Sequence, residues 1–343
     1  MSASKAEEII DPDPKSLIEQ ARARHDERAR TLQTMRRYFA LTVAFVGPIS
    51  VFLLAIVVSS ETLGKVGTSW IIALECLLLL FALITGFLEF GESHKRWIEE
   101  RLRAELLRRE QFLLLAGVGP YLLAAEEDLP DLVRDRLLVI DSEINDPLDF
   151  IPMRDSHQSW KEALEDARAS GKLTTMPKLR DAAEHYLENR IAFQRKYLAS
   201  QSSKHRVTGG RLERAVKFIL VFALVLSIIH LMTVWLPEHP IKGFWEVTLT
   251  VLLVSSPAFG ALFDHLASIF GSERLSRSYL YHAEILEEIE GRLRRLRLTT
   301  SADGSIDTQF RFMRLVLEAE ELLSNELRFW WLVMYLNVPR AAA

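Results

Sequence analysis

Four acidic residues stand where charge is scarce. Glu75 lies within the apolar run Val66–Leu88 and Glu89 follows it, while Glu246 and Asp264 fall near the two ends of Phe244–Phe270. His230 is the one ionisable group between Phe218 and Leu236. At helical spacing Thr68, Glu75, Ala82, Gly86 and Glu89 share a stripe, as do Glu246, Thr250, Pro257, Ala261, Asp264 and Ser268. Acids among small residues fit two kinds of chemistry. One is the lining of a cation pathway. The other is helix packing, in which small side chains permit close approach and a polar group is hydrogen-bonded across the interface. His230 reads as a packed or hydrogen-bonded histidine, since no second ionisable group sits a turn away.

Catalytic chemistry has no comparable support. There is no G-x-G-x-x-G, P-loop, G-x-S-x-G or H-E-x-x-H, and Gly117-Val118-Gly119-Pro120 and Gly209-Gly210 read as isolated turns. The nine histidines never fall at a metal-ligand spacing, and a single cysteine, Cys76, excludes an intramolecular disulfide. No enzyme, catalytic residue, metal or cofactor is therefore expected. A net charge of −4 argues against a nucleic-acid partner.

The elements that would position these residues are helices. Phe39–Val58, Val66–Leu88, Phe218–Leu236 and Phe244–Phe270 are apolar runs near the roughly 20 residues that cross a bilayer core. They form two pairs joined by the short loops Ser59–Lys65 and Pro237–Gly243, each with one Lys and no Arg. Arginines and lysines crowd the other side, from Arg22 to Arg37, Lys95 to Arg109, Lys204 to Lys217, and at Arg274 and Arg277. The positive-inside rule then predicts a multi-pass protein of the bacterial inner membrane, with both termini cytoplasmic and the lipid bilayer as partner. The first 37 residues are polar and charged, so no secretory signal is expected. The predicted fold is all-α: four transmembrane helices in two hairpins, with long helices on the inner side.

The pattern repeats. Phe39 and Phe218 are 179 residues apart, as are Val66 and Trp245, and Ala104-Glu105-Leu106-Leu107 and Ala283-Glu284-Ile285-Leu286. This suggests two-span units at 1–116 and 179–343 around a connector at 117–178, which Pro120, Pro130, Pro147 and Pro152 break into short pieces. Ser16 and Glu19 predict a capping box after Asp11-Pro12-Asp13-Pro14, and Ser255-Ser256-Pro257 predicts a kink. Helices are expected over Leu17–Arg37, Ser93–Leu115, Leu179–Ser203 and Ile306–Leu336. Trp97, Leu102, Leu106 and Leu113 form an apolar face suited to self-association. Leu315, Leu317, Leu322, Leu323, Leu327, Trp330 and Trp331 are too apolar to be left in water.

Three segments resemble a known group. Tyr186, Arg190, Ile191, Gln194 and Tyr197 make a Y-x3-R-I-x2-Q-x2-Y pattern before a basic stretch and an apolar run. Trp97, Arg101 and Glu105 make W-x3-R-x3-E after one, and Glu318–Trp330 has the look of a closing helix. Together they resemble the SLATT group of bacterial two-transmembrane effectors that associate with nucleotide-second-messenger and nucleotide-sensing proteins. The resemblance implies a membrane effector of a conflict or defence system, oligomerising to form a pore or perturb the membrane on a signal. It also implies a homo-oligomer with a nucleotide-signal sensor or synthase as partner, and oligomerisation roles for Trp97, Arg101, Glu105, Tyr186, Arg190, Gln194 and Trp330. The alternative is a non-conducting membrane scaffold or signalling protein that recruits partners through its inner-side helices.

Overall fold

The computed structural model describes residues 13–59, 92–143, 153–176, 178–235, 244–270, 273–299 and 305–336, with Trp70, Ala73, Leu74, Leu77 and Leu80. The fold is all-α, with no strand among the described residues. In chain order the helices are α1 (Pro14–Ser59), α2 (Glu92–Ala116), α3 (Leu129–Glu143), α4 (Met153–Ala169), α5 (Leu179–Tyr186), α6 (Phe193–Trp235), α7 (Phe244–Phe270), α8 (Glu273–Thr299) and α9 (Ile306–Leu336). Two 3-10 turns, Gly119–Tyr121 and Glu126–Asp128, lie between α2 and α3, and a π-helical turn, Leu187–Ala192, joins α5 to α6.

Local chemistry sets the ends. Asp13 caps α1: its Oδ1 accepts the Lys15 N–H at 3.3 Å, and Pro14, which has no N–H to satisfy, follows it. The expected capping box does not form. The Ser16 hydroxyl donates to the Asp13 carbonyl at 2.7 Å, and Glu19 instead accepts from Gln111 of α2 at 2.9 Å. α2 ends in a Schellman motif: Gly117, at φ 61°, donates to Leu114 O and Val118 to Leu113 O, both at 3.1 Å. Gly171 ends α4 the same way at φ 66°, with its N–H on Arg168 O and that of Lys172 on Ala167 O. A side chain at either glycine would have to adopt the left-handed region that L-residues avoid.

The chain divides into two compact units, each drawing on both halves of the sequence. The first comprises Met1–Thr31, Trp97–Ala199 and Ser278–Leu336, and the second Leu32–Arg96, Ser200–Arg277 and Asn337–Ala343. In the first, α2 buries Leu102, Leu106 and Leu113 against a core that includes Tyr186, Leu286, Phe312 and Val316. Ala104 and Leu107 of α2 and their counterparts Ala283 and Leu286 of α8 are all buried, and α1 and α6 begin at Pro14 and Phe193, also 179 residues apart.

In the second unit α6 lays Ile219 beside Gly260 of α7, where an added Cβ would sit 3.8 Å from the isoleucine methyl. Helix α7 runs through Pro257. Proline removes the N–H that would have bonded Leu253 O, and the Ser256 hydroxyl donates to that same carbonyl at 3.0 Å. Ser255 donates to Val251 O at 2.7 Å. Ser202 of α6 and Ser276 of α8 form a reciprocal pair, each hydroxyl donating to the other's carbonyl, at 2.8 and 2.9 Å.

The membrane expectation requires correction. Among the described residues no helix is long and apolar enough to cross a membrane. Helix α6 is described to Trp235, with charged residues before its apolar part, and α7 from Phe244 to Phe270, with Ser255-Ser256-Pro257 at its middle. Most of Val66–Leu88 and parts of the other runs lie outside the described residues. Four transmembrane helices, the two-hairpin topology, the inner-membrane location with cytoplasmic termini, and the pore built on them are not supported.

Candidate functional site

Of the pathway candidates only Asp264 has a described side chain. Glu75 and Glu89 lie outside the described residues, as do the side chains of Glu246 and His230, and Asp264 is exposed on α7. The motif residues, by contrast, converge inside the first unit from three directions.

Helix α2 places Trp97, Arg101 and Glu105 on successive turns of one face. The Trp97 indole meets Trp330 of α9 edge-on, with centroids 5.5 Å apart and planes at 78°. The Arg101 guanidinium stacks 4.6 Å above the Trp330 ring and donates from Nη2 to the Tyr197 hydroxyl at 2.9 Å. Trp97 and Trp330 are each 3% exposed, so this stack is interior.

From the α5–α6 stretch come Tyr186, Arg190 and Gln194, all buried. Arg190 grips Glu320 of α9 with a fork, Nε to Oε1 at 2.9 Å and Nη2 to Oε2 at 2.6 Å, and Tyr186 donates to Oε1 at 2.9 Å. Glu320 has no exposed surface. Burial alone would lower the Arg190 pKa, but the facing Glu320 carboxylate and the nearby Glu105 raise it above the usual arginine value. Burial and the Glu320 charge hold Tyr186 as a neutral phenol well above its usual range. The remaining Arg190 nitrogen, Nη1, is buried with no hydrogen-bond partner. Beside it Glu105, Arg190, Gln194, Ser324 and Glu326 border a cavity of about 20 Å³, room for a single water. Glu326 is pushed up to about 7 by burial and the Glu105 charge, with Arg101 and Arg190 acting against the rise.

A second buried carboxylate, Glu110, sits one turn beyond Leu106 and Leu107 on α2, 1% exposed. It accepts from the Tyr121 hydroxyl at 3.0 Å, from Arg136 of α3 at 2.8 Å and from Arg109 at 3.3 Å. Burial would raise its pKa, but the two guanidiniums hold it below the usual carboxylate range. The turn Gly119–Tyr121 and helix α3 are thereby tied to α2.

These arrangements fasten helices to one another. They contain fixed ion pairs and aromatic stacks, no nucleophile–base pair, and space for a water rather than a substrate. Trp97, Tyr186, Arg190, Gln194 and Trp330 are packed within their own chain, as are Leu102, Leu106 and Leu113, and Arg101 and Glu105 are turned to the same interior. Glu320, Glu326 and Glu110 were not singled out from the sequence. Each occupies an apolar helical face, as Glu320 does between Val316 and Leu323, and a carboxylate on such a stripe was the available signal.

Residues 20–128 match the model of a family described as "Protein of unknown function (DUF4231)". The match takes in Trp97, Arg101 and Glu105 and leaves out Tyr186, Arg190, Gln194 and Trp330. It does not support the SLATT resemblance. No curated protein and no solved structure matches the chain.

Proposed function

We propose that this chain is a non-catalytic helical scaffold that works by self-association, a second copy covering the apolar faces of its second unit. The carrying observation is the outward face of α6. Phe218, Leu220, Val221, Leu224, Val225, Ile228, Leu231 and Met232 are all exposed, Phe218 at 71% and Leu224 at 61%, and only Leu226 among the described side chains from Phe218 onward is fully buried. A helix apolar on every side is normally enclosed on every side.

On α1 the exposed residues Tyr38, Leu41, Phe45, Ile49 and Phe52 follow steps of three and four, the spacing with which one helix seats another. Together these side chains offer on the order of 1,000 Å², above the largest apolar patch of an ordinary monomer and enough for one side of a stable interface. That area and that spacing favour a helical partner, and a second copy supplies the same stripes by two-fold symmetry. The ion-paired interior of the first unit supports a structural rather than a chemical role.

Sedimentation velocity on the full chain tests this. A dimer or larger species is expected, and Phe45→Glu combined with Leu224→Glu should weaken it more than about tenfold with helical content unchanged, since each places a charge in a dehydrated contact. A chain that is monomeric at micromolar concentration, or that partitions into lipid vesicles instead of self-associating, overturns the proposal.

A further inference from the structure

Two pairs of side chains face each other inside the first unit. On α2 Arg101 and Glu105 stand one turn apart, and on α9 Glu326 and Trp330 do the same. Arg101 meets Trp330, while Glu105 and Glu326 border the same small cavity, the order expected of antiparallel helices. The π-helical turn Leu187–Ala192 brings a third wall. Such turns are frequent at functional sites. Here Arg190 and Gln194 point inward and Phe193, at 56% exposure, points outward, the reverse of what burial of apolar surface would give.

The cations around Glu326 are held in different ways. Arg190 is enclosed, and its fork is spent on Glu320. Arg108 donates to Glu105 at 2.7 Å, and Arg109 to Glu110 at 3.3 Å. Arg101 keeps part of its surface and is engaged by neutral groups, the Tyr197 hydroxyl at 2.9 Å and the face of Trp330 at 4.6 Å. A guanidinium on an aromatic face is held less firmly than one paired with a carboxylate. Tyr279 of α8 faces the same group, and burial and the Glu326 charge keep it a neutral phenol. Gln194 and Ser324, beside the cavity, carry no charge.

One proton at Glu326 therefore decides how this junction is balanced. When Glu326 is neutral, each guanidinium keeps the contacts just described. When it is ionised, two carboxylates border one cavity. Among the described residues facing them, Arg101 is the cation not already in a carboxylate pair. We propose that Glu326 is a proton-operated switch on the Trp97–Trp330 stack: protonated, it leaves Arg101 over the Trp330 ring, and ionised, it draws that guanidinium off the ring toward itself. Glu326 is half-buried, so its proton can exchange with solvent. Burial and the Glu105 charge push Glu326 up to about 7, which sets the switch near neutrality. All of these groups belong to the first unit, so the switch does not depend on self-association.

Near-ultraviolet circular dichroism and tryptophan fluorescence of the full chain between pH 5 and 9 test this. A single transition is expected with a midpoint near 7, the far-ultraviolet helix signal staying constant. Glu326→Gln should abolish the transition and hold the low-pH signal throughout. Trp330→Phe should remove most of its amplitude, since the other six tryptophans do not carry Arg101. Glu105→Gln removes the like charge and should move the midpoint down by about one pH unit. No transition in the parent, or one that persists in Glu326→Gln, would overturn the proposal. So would loss of helix at the same midpoint, which would mark unfolding instead of a switch.

Discussion

The two units differ in what they bury. In the first, Glu110, Arg190 and Glu320 are at most 3% exposed, and each is engaged by a charge of opposite sign. In the second, the buried polar residues are Ser50, Ser202, Ser255, Ser256, Ser276 and His94, while long apolar side chains of α1 and α6 face outward. A buried charge requires one partner at one place, because leaving it unpaired costs several kcal/mol. Apolar contact has no such directionality. The first unit is thus fastened internally with a fixed geometry. The second presents a surface that another helix can cover, with the hydroxyls of Ser202, Ser255, Ser256 and Ser276 bonded to its own backbone carbonyls.

The largest effect should come from cutting the central fastening. Glu320→Ala leaves Arg190 charged and buried without its fork and removes the acceptor of Tyr186, at a cost of about 3–5 kcal/mol. Urea unfolding followed by near-ultraviolet circular dichroism, which reports the Trp97–Trp330 stack, measures it. Arg190→Met with Glu320→Leu and Tyr186→Phe should recover most of that loss, since no buried charge or hydroxyl is then left unpaired. If the single change costs less than about 1 kcal/mol, the contrast between the units does not hold.

How much of this was legible in the sequence depends on the kind of residue. The helices were readable because the mixed charge and apolar spacing over Ile306–Leu336 admits few alternatives, and of the apolar residues expected to leave water there all are buried but Leu322, which is half-buried. The constellation Trp97, Arg101, Glu105, Tyr186, Arg190 and Gln194 was found as a set of letters, without the contacts it makes. Nothing in the spacing of Arg190 tells whether its carboxylate partner, 130 residues away, belongs to the same chain. The apolar runs misled in a related way. Composition gives the same signal for a helix enclosed by lipid and for one enclosed by protein, and among the described residues no helix is long and apolar enough for the former.

A smaller effect separates the units by pH. Glu326 titrates near 7 in the folded first unit, against an ordinary value of 4.5, because burial and the Glu105 charge disfavour its ionised form. A raised carboxylate pKa means that the folded state holds the proton longer than the unfolded one. Its contribution is therefore fully present below about pH 4.5 and is lost as pH rises through about 7, a change on the order of 2–3 kcal/mol. Glu326→Gln should flatten that part of the stability profile, leaving the variant more stable than the parent at pH 8. Chemical denaturation at pH 5, 6, 7 and 8 follows it. An unchanged slope would show that the Glu105–Glu326 repulsion is relieved by water in the small cavity they share.

The smallest effect tests the second unit on its own terms. Ser256 donates to Leu253 O, the carbonyl that Pro257 leaves without its usual N–H partner. Ser256→Ala should cost about 1 kcal/mol, the net value of a hydrogen bond to a partly buried group. Pro257→Ala restores the backbone N–H, so the same serine change made in that background should cost close to nothing. The coupling between the two substitutions, read from a double-mutant cycle in thermal unfolding, isolates this bond from the general effect of altering α7. Additive costs would mean that the carbonyl finds another donor. The hydroxyls of this unit would then be incidental to its helices rather than the means by which an apolar helix tolerates a proline at its centre.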